Sequence, residues 1–470
     1  MASTFGTFEI ARGAMRTSQT AMTVIGHNIA NINTPGYSRQ TVEIVATEPY
    51  TVPGLDHGRP GQVGTGVDVA SIRRVRDVFV DQRLQAAGAE RAEVSQLAEL
   101  LDRVQSLYME PGAGGIGIRT TAFFSAFHDL AGNPERAELR AAARQSGVSL
   151  ASQIRAVHGA LEGVEGDIAD QVRANILDAN SLAGQVAELN TQIANSLAVG
   201  DHPNDLQDRR DEIIRRLGAL AGVDSTVELD AGGKPTGHVS VFVAGFALVQ
   251  GGHAAELPER FQFSGGTPYL VDGDERIELR GGSLAGMARA SEHIAAYKSD
   301  LDALASTLIG SVNALHSTGY GQDGQTGIAF FTGAGAADIA VSPEVQTDAG
   351  AIAAGAALPG GGAPPPGNGE AARAIADLAD ARLIGQQTLG ESYATSVALV
   401  GADARTYAER TDSLDLLVEQ LQSLRSSVSG VSLNEELTMM LQHQRSYQAA
   451  ARLLNTFDDA LKTLIDTLGR

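Results

Sequence analysis

The stretch MTVIGHNIANINTPGYSRQ, residues 22–40, decides how this chain is read. Leading into and through it, Phe8, Ala11, Met15, Ser18, Met22, Ile25, Ile29 and Ile32 recur at spacings of three and four. That spacing puts them on one face of a helix with a heptad-type stripe. The helix must stop at Asn33-Thr34-Pro35-Gly36. Proline drives the residue before it out of the α region, and Gly36 suits the turn position that follows. After Tyr37 the chain becomes extended, with Val42 and Ile44 on one face and Arg39, Thr41 and Glu43 on the other.

The far end mirrors this pattern. Leu433, Leu437, Met440, Tyr447, Ala451, Leu454, Leu461, Leu464 and Leu468 form a second seam, interrupted by Gln444 and Asp458. Ser432, with Glu435 three residues on, has the spacing of a capping box. A helix over 433–468 is about 54 Å long at 1.5 Å per residue. A lone amphipathic helix is marginal in water, and each buried Leu or Ile contributes about 1.5–3 kcal/mol. Pairing the two ends, or packing them against other copies, recovers that energy. Two ordinary core helices of one domain explain the stripes as well; the regularity of both ends favours assembly.

Between the ends, helical patterns span Val78–Tyr108, Thr120–Ala131 and most of Ala137–Leu197, the last too long for an ordinary globular helix. Asp205 is placed to cap a further helix, Leu206–Ala221. From Val223 to Gly282 the period changes to two, with short strands separated by glycine pairs. Helices resume over 283–316, 370–387 and 403–426. The expected architecture is mainly α with an inserted β domain, an α+β fold. Residues 1–44 and 428–470 form a terminal coiled-coil core and 45–76 an extended β-like linker. Residues 77–222, 283–318 and 370–427 form a helical rod, 223–282 the β domain, and 319–369 a Gly-, Ala- and Pro-rich loop or linker. In this nesting both termini lie at one pole and the β domain at the other.

The 470 residues include no Cys, which excludes disulfides, thiolate metal sites and cysteine nucleophiles. The net charge of −21 argues against nucleic acid and anionic membrane as partners. Residues 1–40 carry only Glu9 against Arg12, Arg16 and Arg39, so the acidity belongs to the body of the chain. Aromatics are only 5%, the composition of helical seams rather than of a ligand pocket. No apolar run is long enough to span a bilayer, and the N-terminus lacks the basic and apolar regions of a signal peptide.

Candidate chemistry is sparse. Gly112-Ala113-Gly114-Gly115-Ile116-Gly117 matches a dinucleotide fingerprint, but Pro111 and a helix precede it where a strand is required, so it reads as an inter-helix loop. Asp272-Gly273-Asp274-Glu275 and Asp323-Gly324 read as turns rather than calcium loops. The ten histidines form no metal-ligand pair. No catalytic, cofactor or metal site is expected, and the protein is read as a non-enzyme.

His27-Asn28-Ile29-Ala30-Asn31-Ile32-Asn33-Thr34-Pro35-Gly36-Tyr37-Ser38-Arg39-Gln40 resembles the N-terminal signature of the flagellar rod, hook and hook-associated protein family. Its Gly-Tyr-Ser-Arg-Gln ending is similar to that of the hook–filament junction members. Ser429–Glu436 and Gln442–Arg452 resemble the C-terminal motif of the same family. Leu189–Ile193, Pro203–Asp211 and Gly281–Gly286 are similar to the helical region of the junction members. The resemblance implies a secreted structural subunit of the extracellular flagellum, at the hook–filament junction. Its terminal helices would line the export channel, and it would leave the cell unfolded by type III export. The implied partners are copies of itself, the hook protein, the second junction protein and an export chaperone on the C-terminal region. The working residues are then Phe8, Met15, Met22, Ile25, Ile29, Ile32, Leu433, Leu437, Tyr447, Leu454, Leu461 and Leu464. The turn Asn33, Thr34, Pro35, Gly36, Tyr37 and Arg39 sets the angle between core helix and outer domain. A hook or distal-rod subunit, a secreted enzyme on a flagellar scaffold and a coiled-coil adhesin are the alternatives.

Overall fold

The computed structural model describes residues 2–49, 64–108, 114–258, 261–264, 267–272, 275–359 and 362–468. Part of the 45–76 linker, the start of the 112–117 glycine motif, the Gly273-Asp274 turn and Gly360-Gly361 lie outside them. The fold is predominantly helical with small antiparallel sheets. In chain order the elements begin with α1 (Ala2–Ala30), β1 (Gln40–Ala46), β2 (Val67–Arg74), α2 (Val78–Leu107) and α3 (Ile116–Gly132). They continue with α4 (Ala137–Ala198), α5 (Asn204–Ala221), β3 (Val223–Leu229), β4 (Pro235–Val243), β5 (Phe246–Gln250) and β6 (His253–Ala254). Then come β7 (Phe261–Ser264), β8 (Thr267–Asp272), β9 (Glu275–Glu278), α6 (Gly282–His316), β10 (Phe331–Thr332) and β11 (Ala340–Val341). The chain closes with α7 (Pro343–Thr347), α8 (Glu370–Asp377), α9 (Leu389–Ser429) and α10 (Leu433–Leu468).

Contacts divide the chain into two compact units. The first comprises Met1–Glu90, Asp178–Leu257 and Leu414–Arg470; the second comprises Arg91–Leu177 and Pro258–Ser413.

In the first unit α1 packs along α10 and against β1 and β2. The two strands pair antiparallel from Gln40↔Arg74 to Ala46↔Val67, with an irregularity after Glu43. Leu84, Ala87, Val418 and Leu421 form a local apolar cluster. A four-stranded antiparallel sheet runs in the order β3-β4-β5-β6. Its core residues Val239, Val241, Val243, Leu248 and Val249 are buried, as are Ile213, Ile214 and Leu217 of α5. Asn190, fully buried in α4, binds this sheet through its amide. Nδ2 donates to Val239 O at 2.9 Å and Gly251 O at 2.7 Å, and Oδ1 accepts from Val239 N at 3.1 Å.

The second unit is built on aromatic packing. Phe123, Phe127, Phe330 and Phe331 are fully buried, with ring centroids 4.8–5.5 Å apart. These separations fall in the favourable range for aromatic pairs. Gly147 of α4 lies against them; a Cβ there would stand 2.6 Å from the Phe330 ring, so only glycine lets the ring seat. Helix α3 packs on α8, and α8 on α6. Strands β7, β8 and β9 form a separate antiparallel sheet.

Two expectations differ from this structure. The 223–282 region is not one β domain: β3–β6 belong to the unit that holds both termini, and β7–β9 to the other. The cause is local, since β3 leaves α5 with one intervening residue and Asn190 fastens β4 to the end of α4. Residues 319–369 also hold more than a linker. Phe330, Phe331, Ile339, Val345 and Ile352 are buried there, and two side chains from helical segments tie the backbone down. Arg140 donates to Pro134 O at 2.7 Å and Ile352 O at 2.6 Å. His316 lies 2.7 Å from Ile328 O through Nδ1 and accepts from Ala353 N at 2.9 Å through Nε2. That acceptor role fixes the Nδ1-protonated neutral ring. Burial, with the Arg140 charge added, pushes its pKa down to about 4 against the pull of the Ile328 carbonyl.

Candidate functional site

The signature at 27–40 ends α1 and begins β1, and its local chemistry explains its shape. Asn31 Nδ2 donates to His27 O at 3.0 Å, satisfying a carbonyl of the last helical turn. Thr34 Oγ1 donates to Asn31 Oδ1 at 3.0 Å. Tyr37 N donates to Thr34 O at 3.2 Å, closing a turn with Pro35 second and Gly36 third. Gly36 has φ +79°, the left-handed value such a turn requires of its third residue.

Asn28, 1% exposed, is the centre of the joint. Its Oδ1 accepts from Tyr37 OH at 2.7 Å and Gln40 N at 3.0 Å. Its Nδ2 donates to Gln40 O at 2.9 Å and to Glu436 Oε2 at 3.0 Å. All four hydrogen-bonding sites of the amide are therefore used. Glu436, fully buried in the first turn of α10, is reached across 408 residues of sequence. Burial, followed by the carboxylates of Asp205, Asp208 and Glu436, pushes the Tyr37 phenol pKa upward, so it stays a hydrogen-bond donor.

Every backbone step of the turn is then fastened to a different element. Ser38 N donates to Asp208 Oδ2 of α5 at 2.8 Å, and Arg39 N to Ser429 O at the end of α9 at 2.9 Å. Gln40 Nε2 donates to Asp205 Oδ1 at 2.7 Å, and His27 Nε2 lies 3.2 Å from the same oxygen. Asp205 therefore does not cap α5, whose N-cap is Pro203; its carboxylate is drawn to the turn instead. Glu435 likewise turns to Arg39 at 3.2 Å.

Ion pairs extend the joint outward. Arg74 binds Asp208 and Asp211, both at 2.8 Å. Arg76 binds Asp211 at 2.6 Å and Asp81 at 2.8 Å. Arg425 binds Asp81 at 3.0 Å and returns to Gly36 O at 3.2 Å. Burial pushes Asp208 above the ordinary carboxylate range, against the pull of Arg74 and the Ser38 N–H.

The residues expected to work in assembly fall into groups. Ile25 is buried, and Met15, Met22, Ile29, Tyr447, Leu454 and Leu461 are half-buried. Phe8 and Ile32 are exposed. Leu433 and Leu437, at 46% and 45%, form an exposed row with Leu441 at 56%, one helical turn between each. The Leu464 side chain lies outside the described residues. On α1 the buried positions are small or polar: Ala11, Thr17, Ser18, Ala21 and Asn28, joined by Val24 and Ile25. In the turn, Asn33, Thr34 and Pro35 are exposed, while Gly36, Tyr37 and Arg39 are half-buried. The sequence marks none of Asn28, Gln40, Arg74, Asp208, Arg425 and Glu436 as a working residue, and it marks Asp205 as a helix cap only. Only Asn28 and Glu436 leave a signal there, as polar residues set among Val24, Ile25 and Ile29, and among Leu433, Leu437 and Met440.

The two ends of this chain meet in one polar joint, with helical and β elements inserted between, and three flagellar family models match it in order. Residues 8–37 match the flagella basal body rod protein family, and 101–331 the helical domain of flagellar hook-associated protein FlgK. Residues 423–467 match the C-terminal domain of the flagellar basal body rod FlgEFG proteins. Flagellar hook-associated protein 1 of Bacillus subtilis is 26% identical over 512 residues, spanning 100% of this chain and 99% of that protein. The proteins of the same name from Salmonella typhimurium and Escherichia coli are each 28% identical, over 68% of this chain and 58% and 59% of their own lengths. The solved structure of the flagellar hook junction protein FlgK from Burkholderia pseudomallei shares the fold. Its TM-score is 0.64 at 17% identity, over 74% of this chain and 100% of that one. Along its whole length the chain is similar to flagellar hook-associated protein 1.

Proposed function

We propose that this chain joins the flagellar hook to the filament, as a structural subunit that acts by assembly of its paired ends and carries out no catalysis. The carrying observation is the α1–α10 pair. It is locked by Asn28 and Glu436, yet leaves Leu433, Leu437 and Leu441 facing solvent. Neighbouring copies that cover the row gain about 1.5–3 kcal/mol per leucine. In the assembly the two helices form a coiled-coil inner layer, and the 33–39 turn sets the direction in which the rest of the first unit leaves it. The partners on this reading are further copies, the hook protein below, the second junction protein above, and before export a chaperone on the C-terminal helix. No helix among the described residues is long and apolar enough to cross a membrane.

Labelling the protein on isolated flagella tests this reading. One band between hook and filament is expected. Label along the hook shaft identifies a hook or rod subunit instead, and clearing in a peptidoglycan zymogram identifies an enzyme. Leu437→Asp is expected to abolish incorporation without changing monomer melting. A fall in melting temperature would make Leu437 part of the monomer's own core.

A further inference from the structure

A cleft of about 560 Å³ opens within the first unit, bordered by β2, the start of α2, α5, strands β3 and β4, and the end of α9. Five arginines line it: Arg74, Arg76, Arg210, Arg215 and Arg425. The whole chain has 56 acidic residues against 35 basic ones, so the cleft reverses the sign of the molecule. Its four carboxylates are already committed. Asp208 and Asp211 hold Arg74, Asp211 and Asp81 hold Arg76, Asp81 also holds Arg425, and Glu212 holds Arg215.

Among the described residues, Arg210 is the arginine of this lining that no carboxylate hydrogen-bonds. Its side chain is 7% exposed, and its Nη1 donates to two neutral acceptors, Asn190 Oδ1 at 3.0 Å and Gly237 O at 2.5 Å. Asp211 Oδ1 stands 4.0 Å from Nε, too far for a hydrogen bond, and Nε has no hydrogen-bond partner among the described residues. Burial first, then the charges of Arg74 and Arg76, push its pKa down to about 10 despite Asp211. A buried charge hydrogen-bonded by neutral groups is costly; Asp211, shared with Arg74 and Arg76, offsets that cost in part, and a further anion nearby relieves more of it. Arg76, Arg215 and Arg425 keep part of their side chains open to solvent, at 25%, 46% and 28%. They are the donors an incoming anion reaches, with Arg210 adding its field from beneath. Guanidinium groups suit this task because their paired donors match the oxygens of phosphate and carboxylate.

We propose that this cleft binds a small multivalent oxyanion, of the phosphate or polycarboxylate kind. The site does not depend on the assembly role, and its test does not involve flagella. Isothermal titration of the full chain with inorganic phosphate, and separately with citrate, is compared with sodium chloride at matched ionic strength. Saturable one-to-one binding is expected for at least one of the two and none for chloride; the tighter anion identifies the class. Arg215→Gln is expected to weaken binding about threefold, and the Arg76→Gln/Arg425→Gln double variant at least tenfold. Phosphate also stabilises proteins by general exclusion from their surface, so the loss in the variants, not a rise in melting temperature, is the deciding readout. If the double variant fails to fold by circular dichroism, the half-exposed Arg215→Gln decides alone. Absence of saturable heat with both anions, or unchanged affinity in Arg215→Gln, overturns the proposal.

Discussion

Asn28 in the first unit and Phe330 in the second are equally enclosed, at 1% and 0% exposed, but opposite forces surround them. Around Phe330 the contacts are apolar and without strong direction; rings pack at about 5 Å and a glycine makes room for one edge. Around Asn28 each contact is a directed hydrogen bond between 2.7 and 3.0 Å. Apolar burial supplies most folding free energy, whereas a hydrogen bond adds about 0.5–1.5 kcal/mol net and penalises every wrong geometry. The second unit is thereby built for stability. The joint holds five elements together, α1, β1, α5, α9 and α10.

The contrast can be broken by substitution. Phe330→Ala is expected to cost about 3–5 kcal/mol. Hydrogen exchange should show the loss in the second unit, with protection around Asn28 unchanged. Asn28→Ala removes the amide that holds the buried Glu436 carboxylate and is expected to cost about 3 kcal/mol. Protection should fall in α10 and β1 while the aromatic unit keeps its own; equal loss in both would erase the distinction.

The second unit has its own polar weak point in His316. Its pKa is depressed in the fold, to about 4 from an ordinary 6.5. The neutral ring is favoured by the fold, so the stability it contributes is complete above about pH 6.5. It is lost as pH falls toward 4, amounting to roughly 3 kcal/mol. Denaturant midpoints between pH 7 and 4 should fall in the native chain and flatten in His316→Gln. The smallest effect is expected from Tyr37→Phe, which removes one hydrogen bond on Asn28 and costs about 1 kcal/mol. A loss above 3 kcal/mol would show that the joint acts as one cooperative unit.

Much of the helical framework is legible from periodicity. The pattern over 137–197 becomes α4, and the stripe ending at Pro35 becomes α1 with its turn. Such patterns report local geometry, so they survive translation into structure. The joint is less legible because its partners are remote: Asp205 has the character of a helix cap until Gln40, 165 residues earlier, supplies a better donor. Spacing alone makes each seam a single stripe, yet each carries two faces. Ala11 and Ser18 turn inward while Phe8 stays open, and Leu433 and Leu437 are exposed although Glu436 between them is fully buried. Residues 319–369 resembled a linker because Gly, Ala and Pro dominate their composition, and two phenylalanines are too few to show that a core runs through them.

The bond between Asn28 and Glu436 also has a consequence in time. Its partners stand near opposite ends of the chain, so any process that delivers the polypeptide end first must supply nearly all of it before the joint can close. Closing so long a loop is entropically slow compared with forming local contacts. The first unit is then the last part of the molecule to be completed, and a chain cut short at either end never completes it.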